Sequence, residues 1–336
     1  MRVAVIGAGV AGLTVAAELA ERGVEVKVIE RAAALGEGSA SRLAGAMLAP
    51  WCELESAEPD VVRLGAGAAE WWARRVPGVE RQGSLVVAQP RERAELDRFA
   101  RRTDRYERLD AEAIAALEPD LAGRFPAGLV FPEEAHLCPR CAMRALVRYL
   151  EGIGVTIHFG RNGRDLPAGI EVVVDCRGFA ARDRLAGLRG VRGERLLLRT
   201  DEVTLSRPVR LVHPRIPVYV VPRKAGIFMV GATMIESASA GPVTARSMME
   251  LLNAAYALHP AFGEAEVVEA AAAIRPAYPD NLPRVARDGR RVFVNGLYRH
   301  GFLLSPRAAR EAARLVFECL GHTEVTDEAD RERSIA

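Results

Sequence analysis

Lysine is almost missing from these 336 residues: it occurs only at Lys27 and Lys224, and arginine carries nearly all of the positive charge. In so arginine-rich a chain, a single arginine says little until its surroundings are known. An excess of charge of one sign is missing too. With 46 basic and 44 acidic residues the chain carries +2 at neutral pH, which excludes a strong overall field for nucleic acid or an anionic membrane surface. No apolar run approaches the roughly 18 residues of a membrane-crossing helix. The start is not a charged-then-apolar leader with a small-residue cleavage site. Five cysteines, an odd number scattered over this length, do not make a disulfide framework. The expectation is a cytoplasmic protein without a nucleic-acid partner or a stable membrane association.

Metal-binding spacing is scarce as well. Cys138-Pro-Arg-Cys141 is a CxxC, but no second CxxC or histidine pair stands nearby to complete a tetrahedral site. The segment AMRALVRYLEGIG that includes its last cysteine's neighbours reads as an amphipathic helix, so free thiols and no metal are expected. Internal repeats and low-complexity linkers are absent.

What is present begins at the N-terminus. Residues 2–6 are a short apolar run, GAGVAG follows, LTVAAELAERG has helical periodicity, and VEVKVIE (24–30) alternates and ends on an acid. This is one β-α-β unit with short connections. A second crossover does not follow directly. The chain enters a small-residue loop, GEGSASRLAGAMLAP (36–50), and a long mixed region instead. Parallel-strand signals return at VTIHFG (155–160), GIEVVVDCRG (169–178) and RRVFVNGLYRHGF (290–302), the last feeding a helix at about 303–319. Between them the pieces look antiparallel. GSLVVA (83–88) and GLVFPEE (128–134) read as isolated strands, and IPVYVV (216–221) with GIFMVGAT (226–233) reads as a hairpin across PRKA. EVVEAAAAIRP (266–276) is strand or helix by pattern, its Arg-Pro favouring a strand end. Helices are expected at about 92–103, 110–117 and 243–258, and the tail after Gly321 is expected to fray.

The length allows about two domains. The predicted class is α/β, α+β overall: a discontinuous Rossmann-like domain from 1–50, 140–190 and 285–336, and a mixed-sheet substrate domain from 51–139 and 191–284.

Gly7, Gly9 and Gly12 form GxGxxG between a strand and a helix. The first permits a tight turn, the second a close pyrophosphate, and the third close helix–strand packing. The helix N-terminus then offers free N–H groups and a positive dipole end. Glu30 lies 18 residues beyond Gly12, where a carboxylate accepts the hydrogen bonds of a ribose diol and repels a 2′-phosphate. This much specifies a dinucleotide. FAD rather than NAD rests on the 36–50 loop, whose small residues can lie against a flat ring system, and on a helix starting near Leu303 that can present its positive end to a reduced flavin. A flexible connection and simple sheet coverage are the plain alternatives.

Five separated motifs, VIGAGVAGLTVAAELAERG with Glu30, SRLAGAMLAPWCE, YVVPRKAGIFMVGATM, AIRPAYPDNLP and GLYRHGFLLSP, resemble the glycine oxidase/D-amino-acid oxidase/sarcosine oxidase family of flavoproteins. The likeness covers most of the chain and implies a D-amino-acid-oxidase-like fold with non-covalent FAD, Cys319 lying too far down the last helix for a flavin link. It implies that Val10, Ala11, Glu30 and Arg31 contact the ADP half. Ala40, Ser41, Gly45, Ala46 and Met47 would approach the ribityl chain and ring. Leu297, Tyr298, Arg299, His300, Gly301, Phe302 and Leu303 would lie beside the pyrimidine. Arg275 matches the substrate-carboxylate arginine and Arg299 a second substrate-site arginine, with Tyr219 the active-site tyrosine of the hairpin and Met234 lining the pocket. A guanidinium fork suits a carboxylate independently of any resemblance, whereas Tyr219, between two valines, equally suits a core cap. Ala46 stands where relatives often carry Gly, and His300 where Asn is common. Arg177 has no functional explanation.

The implied activity is FAD-dependent oxidation of glycine by dioxygen to an imine, then glyoxylate, ammonia and hydrogen peroxide. It would serve thiazole synthesis with the thiazole-forming enzyme as a partner, in a homo-oligomer, tetramer or dimer. Sarcosine or a D-amino acid as substrate, electron delivery to a carrier, and a non-enzymatic FAD-binding subunit remain open alternatives.

Overall fold

The computed structural model describes residues 1–214 and 217–321. The polar tail expected to fray, and Ile216 at the head of the predicted hairpin, lie outside the described residues.

Strands begin where the sequence is apolar without interruption. In β1 (Arg2–Ile6) Val3, Ala4 and Val5 are fully buried, as a parallel strand covered on both faces requires. The glycine turn leads into α1 (Val10–Ala20), and β2 (Glu25–Ile29) returns parallel to β1. Thr156–His158 continues the sheet beyond β2, and Val172–Asp175 and Arg291–Asn295 continue it beyond β1, all parallel. Arg284–Asp288 closes that edge antiparallel. The third parallel strand thus arrives only after helix Pro139–Gly152, consistent with the missing early crossover.

The larger sheet is mixed. Arg189–Arg199 pairs with Ile227–Gly231 on one side and with Glu266–Ala277 on the other. The run EVVEAAAAIRP is therefore a strand, and its register sets Arg275 opposite Val191. Val218–Pro222 and Ile227–Gly231 form the expected hairpin. Ser84–Ala88 and Ala127–Phe131 are not isolated: they pair antiparallel with each other, and Ser84–Ala88 also runs parallel to Val209–Val212. The expected helices run Arg93–Arg102, Ala111–Leu117 and Ala245–Leu258.

The last helix, Gly301–Cys319, packs along α1 and contains Pro306. Proline has no N–H for the carbonyl four residues back, Phe302. That carbonyl accepts instead from Trp72 Nε1 at 2.9 Å. Trp72 and Trp71 sit buried on the short helix Ala68–Ala73, and Trp71 Nε1 donates to Glu18 of α1 at 2.5 Å. The anchoring brings the N-termini of the two long helices together: a Cβ on Gly301 would lie 3.3 Å from Val10 Cγ1. Arg177 is explained structurally, since it pairs with Asp175 and Asp183, each at 2.9 Å.

Candidate active site

The glycine turn is built as its spacing implied. Gly7 has φ +104°, and a Cβ there would lie 2.6 Å from the Cys176 carbonyl oxygen. A Cβ on Gly12 would lie 1.8 Å from the Gly7 carbonyl oxygen, so any side chain would push α1 off the turn. Gly9 differs: a Cβ there meets only the hydroxyls of Ser41 and Ser39, at 3.4 and 3.6 Å. No protein atom needs that room, which suits a cradle whose filler is a ligand. The Val10 N–H donates to Ser41 Oγ at 3.0 Å, tying the loop to the start of α1. Glu30 accepts from the Ala8 N–H at 2.7 Å and the Ala32 N–H at 2.8 Å, one to each carboxylate oxygen. The carboxylate is thereby fixed with acceptor capacity remaining for hydroxyls. Arg31 beside it is exposed.

Ala40 and Ser41 lie in a 3-10 turn, Ala40–Leu43, and the chain then runs through Gly45, Ala46 and Met47. Ala46 adopts φ +52°, a left-handed conformation that glycine takes freely. Arg223 donates to the Gly45 carbonyl at 2.6 Å and to the Leu137 carbonyl at 2.9 Å. Tyr298 also has a positive φ, +48°, and its N–H donates to the Pro276 carbonyl at 3.0 Å. This bond fastens the 297–303 segment, with Leu297, His300, Phe302 and Leu303 buried, to the strand carrying Arg275.

Arg275, Arg299, Tyr219 and Met234, together with Met47, line one cleft of about 200 Å³. Arg275 reaches it across Gly193: a Cβ there would lie 2.2 Å from the guanidinium carbon. One Arg275 nitrogen donates to the Thr233 carbonyl at 3.0 Å. Among the described residues, the other arginines lining the cleft all pair with carboxylates, Arg98 with Glu95, and Arg210 and Arg299 with Glu53. Arg275 pairs with none. Burial, with Arg299 nearby, pushes its guanidinium down from the ordinary arginine value.

Glu53 was not singled out from sequence, although it closes the SRLAGAMLAPWCE motif. It is buried between Arg210 and Arg299, with His300 Nδ1 at 3.4 Å. Its Oε2 is 2.7 Å from Arg299 without hydrogen-bond alignment, so this is a contact of charges. Burial raises the Glu53 carboxyl, but Arg299, Arg210 and His300 outweigh burial and hold it far below the carboxylate range. Arg299 donates to Ser56 Oγ at 2.6 Å and lies 3.5 Å from the Met234 sulfur. His300 is pushed down to about 4, first by burial and then by Arg299, Arg210 and Arg275, against the opposing pull of Glu53. Arg210 was missed because its strand, Val209–Val212, is too short to stand out, and Gly193 because nothing marks a glycine whose importance is empty space.

The two halves of the site meet at one loop. Gly45 follows the turn that caps α1, and a Cβ on it would lie 3.0 Å from the Tyr219 ring. A dinucleotide cradle and an anion-receptive cleft sharing a wall are what a dinucleotide-dependent oxidoreductase requires, and that is the class this fold defines. The chain belongs to the FAD dependent oxidoreductase family, which it matches over residues 2–315. A Rhizobium etli protein named as a thiamine biosynthesis oxidoreductase, ThiO, is 59% identical over 325 residues, 96% of this chain and 99% of that protein. A bifunctional ThiO/ThiG protein of a Nostoc species is 27% identical over 94% of this chain and 52% of its own length. A glycine oxidase of Geobacillus kaustophilus is 28% identical over 94% of this chain and 92% of its own. The crystal structure of glycine oxidase from that organism matches with a TM-score of 0.79 over 98% of this chain and 97% of the other, at 24% identity.

Cys138 caps helix Pro139–Gly152, its sulfur accepting the Cys141 N–H at 3.4 Å, and both thiols are free.

Proposed function

We propose that this enzyme oxidises glycine with FAD and dioxygen to an imine, which hydrolyses to glyoxylate and ammonia as dioxygen becomes hydrogen peroxide. The observation that carries the reading is Arg275, the cleft arginine without a carboxylate partner. A partly buried guanidinium without an anion is unfavourable, and a substrate carboxylate supplies one in bidentate geometry. The name of the Rhizobium relative and the glycine oxidase relative support the substrate and the link to thiamine.

In this reading Gly7, Gly9 and Gly12, with the Ala11 N–H and with Val10 beside it, its own N–H held by Ser41, cradle the pyrophosphate of FAD. Glu30 takes the ribose hydroxyls, and Arg31 flanks the adenosine. Ala40, Ser41, Gly45, Ala46 and Met47 face the ribityl chain and ring, and Leu297 to Leu303 flank the pyrimidine. FAD supplies the acceptor for the hydride. The rest is positioning: Arg275 grips the carboxylate and aims the α-carbon, while Tyr219 and Met234 wall the cleft. Arg299, held by Glu53 and Ser56, acts on that wall. FAD is bound non-covalently, since Cys319 ends the last helix with its sulfur 3.6 Å from the Gly289 carbonyl. The reading divides the chain into 1–50, 140–190 and 285–336 for the cofactor and 51–139 with 191–284 for the substrate; the six-stranded and nine-stranded sheets support it, while a small third sheet links Met47–Leu48 to Ala135–Leu137 and Val79–Glu80 across that division. Val61, Ala68, Trp71, Trp72 and Val76 join the cofactor-side core. A thiazole-forming partner is supported by the ThiO/ThiG fusion. A cytoplasmic homo-oligomer, tetramer or dimer, completes the reading, and among the described residues no helix is long and apolar enough to cross a membrane.

Oxygen consumption with glycine, sarcosine and a panel of D-amino acids tests the assignment. Arg275→Ala should raise KM by orders of magnitude, since such a pair contributes about 2–5 kcal/mol. A mutant matching the parent refutes the clamp. Yellow protein that consumes no oxygen with any of these amines refutes the oxidase.

A further inference from the structure

Four arginines line one cleft, Arg98 paired with Glu95 and exposed, and Arg210, Arg275 and Arg299 further in; of the carboxylates among the described lining residues only Glu53 is buried. Glu53 holds Arg210 and, at 2.7 Å, Arg299. Arg299 is committed further, to Ser56 at 2.6 Å, and its Nε is buried without a partner. The other charged or titratable neighbours of Glu53 are His300 and, beyond Arg210, Glu134 and the Cys52 thiol. None is a free cation. Among the described residues the cleft therefore offers an incoming substrate one unpaired guanidinium, Arg275, and beside Arg210 and Arg299 a fixed negative charge.

We propose that Glu53 is a specificity-determining residue that restricts the cleft to amines carrying one carboxylate, by keeping Arg299 on the wall and repelling a second anion. This rests on the amino-acid oxidase reading. A one-carboxylate substrate is matched by Arg275. A second carboxylate meets Glu53 and an occupied Arg299, and loses its hydration without gaining a partner. Removing only the charge of Glu53 releases Arg299, whose planar fork then accepts that second carboxylate.

The test uses the FAD-loaded protein and two non-reacting ligands, acetate and malonate, their dissociation constants read from perturbation of the flavin absorbance. Wild type should bind acetate at least as tightly as malonate. Glu53→Gln, nearly isosteric, should shift the preference toward malonate at least tenfold, and kcat/KM for iminodiacetate relative to glycine should rise likewise, mainly through KM. Glu53→Asp should restore the wild-type preference, and adding Arg299→Gln to Glu53→Gln should erase the gain. A Glu53→Gln protein in which both ligands weaken together, leaving their ratio unchanged, overturns the proposal. So does wild type that already prefers malonate, a result that needs no variant to fold. If wild type oxidises no amino acid, the oxidase reading fails, yet the acetate-to-malonate ratio still decides the role of Glu53.

Discussion

Gly193 acts in the cleft by what it lacks. A methyl group there would overlap both terminal nitrogens of Arg275, at 2.2 and 2.6 Å, so the guanidinium has its place only because the opposite strand carries no side chain. The clash falls on the far end of a flexible chain, so the fold can absorb it by moving Arg275 while the substrate site cannot. Strand glycine is itself costly by roughly 0.5–1 kcal/mol relative to alanine. Gly193→Ala should therefore leave thermal stability within a few degrees of wild type and raise KM for glycine tenfold or more, with kcat changed far less. Steady-state kinetics beside a melting curve separate these outcomes. An unchanged KM would show that Arg275 does not work from the position it occupies.

At the scale of elements, legibility followed periodicity. β1, α1 and β2 could be read because each is regular and the glycines punctuate them. Arg189–Arg199 went unassigned because RGVRGERLLLR looks like a charged loop. Arg192, Glu194 and Arg195 are buried nonetheless, Arg192 paired with Glu194 at 2.5 Å and Arg195 with Glu269 at 2.6 Å, contacts that no local pattern announces. The cleft was half legible. Arg275 and Arg299 sit in recognisable motifs, but the carboxylate that separates their roles becomes visible only when Glu53 meets a strand 157 residues away. Pro306 is the same lesson in a helix, since its partner lies on a short helix that sequence left unassigned. If Trp72 replaces the N–H that Pro306 lacks, Trp72→Phe should destabilise the protein by about 1–3 kcal/mol, the cost of an unpaired buried carbonyl together with repacking. In a Pro306→Ala background the helix supplies its own N–H, and the same substitution should cost measurably less. Denaturant unfolding of the four proteins of this cycle measures the coupling. Additive costs would mean that the Trp72 bond does not compensate for the proline.

For the whole molecule the strongest pH lever is histidine kept uncharged. His300 is held at about 4 and His136 at about 3, in both cases first by burial and then by neighbouring arginines. In the unfolded chain both titrate near 6.5. As pH falls below 6.5 the unfolded state takes up protons that the folded state refuses, so stability is complete above 6.5 and declines down to each folded value. For His300 the window is pH 6.5 to about 4, worth up to a few kcal/mol. Glu53, with a depressed carboxyl, adds loss in the same direction but only below its ordinary value of 4.5. Glu134, raised by burial, acts oppositely, since a folded state that holds its proton more tightly gains stability as pH falls. Comparing wild type with His300→Asn across pH 7 to 4.5 removes most of the shared background. Wild type should lose melting temperature steadily over that interval with FAD retained, and the variant should lose distinctly less. Parallel curves would mean that His300 is not held neutral at the junction of Glu53, Arg299 and Arg210, and that the charge balance of the cleft is struck differently.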